Sequence, residues 1–236
     1  LKAAFAGTVT AYTGNLTITG GVSLADQIII AAETSGTVTY AIIDTAANLA
    51  VSETAAITAA STVTASGVAD VAQATTLQGY TKAVVYNISD AAATVAGAGP
   101  AVLNDAVNIT STTAVTVAQG ATIEAASNSG SNAYAIIDTA ANLAVSETAA
   151  ISAASTVTAS GVANVVQANA LAAYTKAVVY TISDAAATVA GASSGALSEA
   201  TAITLTDQPT LSDLKTINDG ATAAITLYVT GGTLSG

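Results

Sequence analysis

The chain contains a long, nearly exact internal repeat. The eighteen residues from Tyr40 to Ile57 recur without a change from Tyr134 to Ile151, 94 residues later. The match continues to Ala98 in the first copy and Ala192 in the second, with only eight differences. A tandem duplication of this kind favours repeat architectures, in which each unit buries its apolar face against its neighbours.

The 94-residue unit is itself double. Two residue types recur about every 47 residues: the aspartates Asp44, Asp90, Asp138 and Asp184, and the glutamines Gln27, Gln73, Gln119 and Gln167. A fifth, divergent copy is predicted at Leu211 to Tyr228, with Lys215 in the place of the glutamine. The chain therefore reads as about five copies of one unit.

One unit contains two strand and helix patterns. Val68 to Tyr80 has apolar residues at helical spacing, and Thr81 to Ile88 is rich in the β-branched residues typical of a buried strand. A second helix is predicted from Ala91 to Val95, capped by Ser89 or Asp90 and ended by Gly97 and Gly99-Pro100. A further strand is predicted over 106–110. Each unit thus predicts two coils of about 23 residues, within the range of solenoid repeats.

We therefore predict an α/β fold: a repeat solenoid of stacked strand-helix coils with a parallel sheet. An all-β solenoid is the alternative, suggested by Thr-x-Thr elements at 8–10, 17–19, 37–39 and 62–64. The sequence Asp-Thr-Ala-Ala-Asn-Leu-Ala favours helix over strand. The predicted organisation is a cap or partial repeat at 1–21, tandem repeats at 22–210 with double units at 40–133 and 134–210, and a divergent repeat or cap at 211–236.

Composition excludes several functions. The chain has no His and no Cys, and so lacks an imidazole base, a thiolate and the usual zinc and haem ligands. Four Lys, no Arg and a net charge of -11 argue against nucleic acid as a partner. Apolar runs are too short for a membrane span. We expect no enzymatic activity and no cofactor.

The recurring acidic residues are the candidate site. A ladder formed by Asp44, Asp90, Asp138 and Asp184 would offer oxygen ligands of the kind Ca²⁺ prefers. The competing interpretation is a repeated helix cap, because calcium needs several carboxylates close together. Glu53 and Glu147 are predicted in the first turn of a helix, where a negative charge meets the positive end of the dipole.

Three other patterns have a structural and a functional interpretation. Stacked Thr-x-Thr elements would make an array that orders water, as an ice-binding surface does, or would simply be good strand residues. Lys82 and Lys176 either contact an acidic glycan or partner, or protect a solvated strand edge. Asparagines 15, 87 and 108 begin glycosylation acceptor patterns, which chance produces readily in a chain rich in Ser and Thr.

The run Tyr-x-Ile-x-Asp-Thr-Ala-Ala-Asn-Leu-Ala, together with Val-Thr-Ala-Ser-Gly-Val-Ala-Asp-Val-Ala-Gln, resembles the Ala/Thr-rich tandem repeats of very large bacterial surface and secreted proteins, many of them cyanobacterial or marine. The resemblance extends from about Val22 to Val229. It implies an extracellular or cell-surface location and a structural, adhesive or coat role. Similar repeats also occur in phage structural proteins.

The expected function is thus a structural repeat region that acts as a stalk, coat or filament element. We expect self-association or contact with neighbouring repeats of the same protein, since uncapped terminal coils expose strand edges. The alternative is a binding module that presents a repeated face to glycan, calcium or ice.

Overall fold

The computed structural model describes residues 12–228, and over this range parallel strands alternate with helices. This confirms the α/β class. The strands are β1 (Leu16–Val22), β2 (Val38–Thr45), β3 (Val63–Ser66), β4 (Val84–Val85), β5 (Ile88–Asp90), β6 (Ile109–Ser111), β7 (Asn132–Ala133), β8 (Ile136–Thr139), β9 (Val157–Ala163), β10 (Val178–Asp184), β11 (Ala202–Leu205) and β12 (Ala224–Thr226). The helices are α1 (Leu24–Ala32), α2 (Ala46–Leu49), α3 (Ala55–Ala59), α4 (Val71–Gln78), α5 (Ala92–Ala96), α6 (Pro100–Asp105), α7 (Val117–Glu124), α8 (Ala140–Leu143), α9 (Ala149–Ala153), α10 (Val165–Ala172), α11 (Ala186–Ala190), α12 (Ser194–Glu199) and α13 (Leu211–Gly220).

The strands form three parallel sheets in which neighbours in space are neighbours in the chain. Their orders are β1-β2-β3-β4, β5-β6-β7 and β12-β11-β10-β9-β8. By their internal contacts the described residues divide into two compact units, one comprising 12–112 with 126–132 and the other 113–125 with 133–228. The four-stranded sheet belongs to the first unit and the five-stranded sheet to the second. The domain boundaries predicted from the sequence remain predictions.

Two kinds of strand-helix segment alternate along the chain. In single-helix segments a strand is followed by one helix of eight to ten residues, and these helices are α1, α4, α7, α10 and α13. In two-helix segments the strand is followed by two helices of four to six residues, which are α2-α3, α5-α6, α8-α9 and α11-α12. One pair of segments gives the 47-residue period of the sequence.

The core of each unit lies between one face of its sheet and the helices. Ile136, Val157 and Val178 occupy the same register position on three neighbouring strands, and all are buried. Small residues let helices approach this layer. A Cβ added to Gly120 would lie 3.3 Å from the Cβ of Ala150 and 3.4 Å from the ring of Tyr134. Glycine at position 120 therefore lets α7 pack closer than a side chain would allow.

Two strands of the single-helix segments, β1 and β9, contain a bulge. Thr158 pairs with Val179 and Val162 pairs with Thr181, so β9 advances four residues while β10 advances two. Gly161, within this bulge, has a φ of +75°, which residues with a side chain rarely adopt. Gly67 has the equivalent conformation 94 residues earlier, at +77°.

Several local predictions need correction. The helix predicted from Val68 to Tyr80 is α4, and the one predicted from Ala91 to Val95 is α5, which ends at Gly97. Asp90 does not cap α5, because Ala91 is its N-cap residue and makes no side-chain hydrogen bond there. Gly99-Pro100 begins α6 instead of ending α5, since Pro is favourable at the first helical position.

The strand predicted over Thr81 to Ile88 is interrupted, with β4 and β5 on either side of the break. In the second copy the residues equivalent to 84–90 form one continuous strand, β10. The Thr-x-Thr element at 8–10 lies outside the described residues. Among the helices of residues 12–228, none is long and apolar enough to cross a membrane.

Candidate functional site

The four recurring aspartates join one segment to the next. We call Asp44, Asp90, Asp138 and Asp184 the bridging aspartates. Each lies at the end of a strand of a two-helix segment, and its Oδ2 accepts a hydrogen bond from the first helical amide of the preceding single-helix segment. The donors are Leu24 at 2.9 Å, Val71 at 3.1 Å, Val117 at 2.9 Å and Val165 at 3.1 Å.

The other oxygen of each bridging aspartate accepts from the next amide of its own chain. These donors are Thr45, Ala91, Thr139 and Ala185, at 2.7 to 2.9 Å. Each carboxylate thus caps a helix about 20 residues earlier in the chain, not the helix it precedes. The cap predicted from the sequence therefore connects two segments.

Hydrogen bonding lowers the pKa of two of these carboxyls. Burial by itself would raise the pKa of Asp138, but the Val117 amide, the Asn142 side chain and the Thr139 amide together outweigh it. The Asn142 Nδ2 lies 2.7 Å from Asp138 Oδ1. The pKa of Asp44 is lowered in the same way, since its hydrogen bonds outweigh the effect of burial. Asp44 and Asp138 are therefore anions held by N–H donors.

Because both carboxylate oxygens already accept hydrogen bonds, few lone pairs are left to bind a metal ion. A cation at a bridging aspartate would compete with N–H groups for both carboxylate oxygens. Among residues 12–228, no group of three or more His, Cys, Asp or Glu is close enough together to hold a metal. The calcium hypothesis stays a prediction with no cluster to support it in the described part of the chain.

The recurring glutamines also have a structural role, which the sequence analysis did not identify. Gln73, Gln119 and Gln167 are the third residues of α4, α7 and α10, and each returns its side-chain oxygen to the amide of the N-cap residue. These capping boxes satisfy the first amides of the helices. Gln27 lies one position later in α1 and is buried. In α13 the capping-box residue is Asp213, so Lys215 does not take the place of the glutamine.

Glu53 and Glu147 make the second recurring connection. The Glu147 carboxylate accepts from the amide and hydroxyl of Thr175, at 2.8 and 2.7 Å, and from the amide of Lys176 at 2.9 Å. Glu53 makes the same contacts 94 residues earlier. Hydrogen bonds to Thr175 are the main cause of the lowered pKa of Glu147. Each Glu precedes the N-cap Thr of a helix, so the predicted position in the first turn is wrong.

The lysines next to these glutamates also bond to the backbone. Lys82 Nζ donates to the carbonyl of Ser61 at 3.1 Å, and Lys176 Nζ donates to the carbonyl of Ala154. Both carbonyls precede the neighbouring strand. Each side chain therefore connects the amino-terminal ends of two adjacent strands, Lys82 in the four-stranded sheet and Lys176 in the five-stranded sheet.

Buried tyrosines form the third set of connections. Tyr86 and Tyr180 donate their hydroxyls to carbonyls in the last turns of α6 and α12, at 2.9 Å to Val102 and 3.1 Å to Ala196. Burial raises the pKa of each to about 12, with a smaller contribution from Asp105 at Tyr86 and from Glu199 at Tyr180. Both rings point towards the helices, so they are unavailable on the exposed face of the sheet.

The asparagines of the glycosylation patterns also bond across strands. Asn15 Oδ1 accepts from the Thr37 amide at 3.0 Å, and Asn108 Nδ2 donates to Asn87 Oδ1 at 2.9 Å. Asn108 Oδ1 in turn accepts from the Ser131 amide at 2.9 Å. These contacts give the side chains a structural role at the beginnings of strands.

The side of each sheet that faces away from the helices is exposed, and we call it the outer face. Alternate strand residues point to it, as the two-residue period of a strand requires. Its register rows include Ile43-Thr64-Val85 in the four-stranded sheet, and Ile137-Thr158-Val179 and Ser183-Thr204-Thr226 in the five-stranded sheet. The charged ends of the bridging aspartates lie on the opposite side. The outer face therefore presents β-branched and hydroxyl side chains without charge.

Comparison of the chain with protein-family models, with curated proteins and with solved structures found no match. The functional argument therefore depends on the residues themselves.

Proposed function

We propose that this chain is a structural repeat region of an extracellular bacterial surface protein, a solenoid of stacked segments that serves as a stalk, coat or filament element. The observation that carries the proposal is the use of the recurring polar side chains. The bridging aspartates, Glu53, Glu147 and the buried tyrosine hydroxyls bond to the backbone of other parts of the stack. Residues repeated for catalysis or ligand binding would instead converge on an open site.

Duplication supports the same function. A structural stack tolerates extra units because each one only extends it, whereas an active site needs one particular constellation. The glutamate contacts, the aspartate contacts and the positive-φ glycines all recur 94 residues apart. The second copy thus repeats the connections of the first.

Lengthening the chain tests the stack directly. Insertion of one further copy of residues 40–133 adds four segments, and neighbouring parallel strands lie about 4.8 Å apart. We expect small-angle scattering to show a maximum dimension about 19 Å greater with an unchanged cross-section. A cross-section that grows with the insertion would contradict the solenoid.

A surface location has a separate test. Protease added to intact cells of the source organism should digest the native protein before the cells are lysed. Protection until lysis would contradict the extracellular assignment and would favour an intracellular role, such as part of a phage particle.

A binding module is the second candidate, and the exposed outer face favours it. A calcium form predicts heat on calorimetric titration with Ca²⁺ and a lower melting temperature with chelator. An ice form predicts altered ice-crystal shape. The bulges in β1 and β9 interrupt a regular array of side chains, which argues against ice.

A further inference from the structure

The outer face of the five-stranded sheet is bare in a way that is unusual for a parallel sheet. Parallel sheets are generally covered on both sides. Here the helices cover one side only, and Ile137 and Val179 on the other side are 49% and 48% exposed. Val162, lifted by the bulge in β9, is 61% exposed. Grouped apolar exposure of this kind indicates a surface that another molecule covers.

Charge indicates which molecule that is. All fifteen acidic residues of the chain fall within residues 12–228, and none occupies an outward strand position. The chain has a net charge of -11, so two copies repel one another through most of their surfaces. They approach without repulsion through the outer face. This face also has no aromatic ring and no charge with which to recognise a sugar or an ionic partner.

We propose that the outer face formed by β8 to β12 packs against the same face of a second copy of this chain. The proposal rests on the structural role proposed above and adds the surface through which a coat or filament element would associate. The contact is isologous. Thr158 lies within this face on β9, between Ile137 of β8 and Val179 of β10. Sheets packed in this way lie about 10 Å apart.

The size of the face sets the strength of the contact. The five strands have three to seven residues each, so at about 3.3 Å per residue and about 4.8 Å between strands they present roughly 400 Å² per copy. A standard stable interface buries about 800 Å² per partner. We therefore expect a reversible association that is seen at hundreds of micromolar.

Sedimentation velocity of the full chain between about 10 and 500 µM tests the proposal. We expect the weight-average sedimentation coefficient of the wild type to rise with concentration. Thr158→Lys places one cation on the outer face of each copy, inside the proposed contact, and should weaken dimerisation at least tenfold. Val145→Lys is the matched control, because Val145 is 81% exposed in the turn between α8 and α9 and gains the same charge. Its dimerisation should equal that of the wild type.

A second measurement does not depend on the lysine variants folding. The chain has no Cys, so Val179→Cys carries a single spin label on the outer face, and Val145→Cys carries one outside it. Label-to-label distances below about 25 Å should appear at 500 µM for position 179 and not for position 145. The reverse pattern would overturn the proposal.

The remaining outcomes are also decisive. A wild type that stays monomeric at 500 µM overturns the proposal, as does equal weakening by the Val145 variant. Weakening by Thr64→Lys but not by Thr158→Lys would place the contact on the four-stranded sheet instead. A monomer that reshapes ice would assign the face to ice. The 94-residue insertion reports on the solenoid separately, so the two proposals fail independently.

Discussion

Replacement of Asp138 by Ala tests the importance of a bridging aspartate. The side chain is 8% exposed and accepts three hydrogen bonds, from the amides of Val117 and Thr139 and from the Asn142 side chain. Without the carboxylate, all three donors lose their acceptor within one variant. The effect should therefore exceed that of an ordinary surface substitution.

The structure gives the magnitude. A hydrogen bond to a charged group contributes about 1.5–3 kcal/mol, and water can replace part of it at a helix end. We expect the free energy of unfolding to fall by about 3 kcal/mol in Asp138→Ala. Asp90 accepts from two amides and has Thr94 where Asp138 has Asn142, so Asp90→Ala should cost about 2 kcal/mol. Asn142→Ala removes one donor and should cost about 1 kcal/mol or less.

Urea denaturation measures the total loss, and hydrogen exchange locates it. Repeat proteins open in parts, so the Val117 amide should exchange faster in Asp138→Ala than amides in the middle of α10. A loss below about 0.5 kcal/mol with unchanged exchange at Val117 would refute the idea that this carboxylate holds two segments together.

Three further predictions follow from other recurring features. Gly161→Ala should lower the free energy of unfolding in urea by about 1 kcal/mol because of the positive φ, although an added Cβ meets nothing within 4 Å. Gly20→Ala has equal space and no positive φ, and should cost nothing. Because the pKa of Glu147 is lowered, its contacts stabilise the fold above pH 4.5 and are lost as pH falls. Glu147→Gln should therefore make the melting temperature fall less steeply below that pH than it does in the wild type. Equally steep falls in the two proteins would contradict this. Tyr180→Phe should lower the free energy of unfolding by about 1 kcal/mol at pH 7, because it removes one hydrogen bond. It should also reduce the loss of stability between pH 10 and about 12, where the tyrosine ionises in the unfolded chain before the folded one. An unchanged midpoint of unfolding at alkaline pH would contradict this.

Local sequence pattern predicted the features that are set by residues close together in the chain. The α/β class and the helix α4 follow from residues within one turn or strand of one another, and the period follows from direct repetition of the sequence. The capping box of Asp70 and Gln73 has the expected spacing of three residues and was readable in principle. Its recurrence in α7 and α10 is the signal that the glutamine series carried.

The connections between segments could not be read from local pattern. Asp138 finds its amide 21 residues back in the chain, and Glu147 finds Thr175 28 residues ahead. These distances are set by how strands align across a sheet, and neither residue has a local signature that distinguishes a bridge from a cap. The available clue in the sequence was that both residues recur in the two 94-residue copies. Likewise, strand alternation gives two faces, but only the placement of the helices decides which face is bare.

The alternation of segments limits how the gene can lengthen. A bridging aspartate comes from a two-helix segment and caps the helix of the single-helix segment before it. A duplication of about 23 codons would place two segments of one kind side by side, so one helix would lack its acceptor or one aspartate would lack its helix. Tolerated additions therefore come in multiples of about 47 codons. The near-identical 94-residue copies correspond to two such steps made at once.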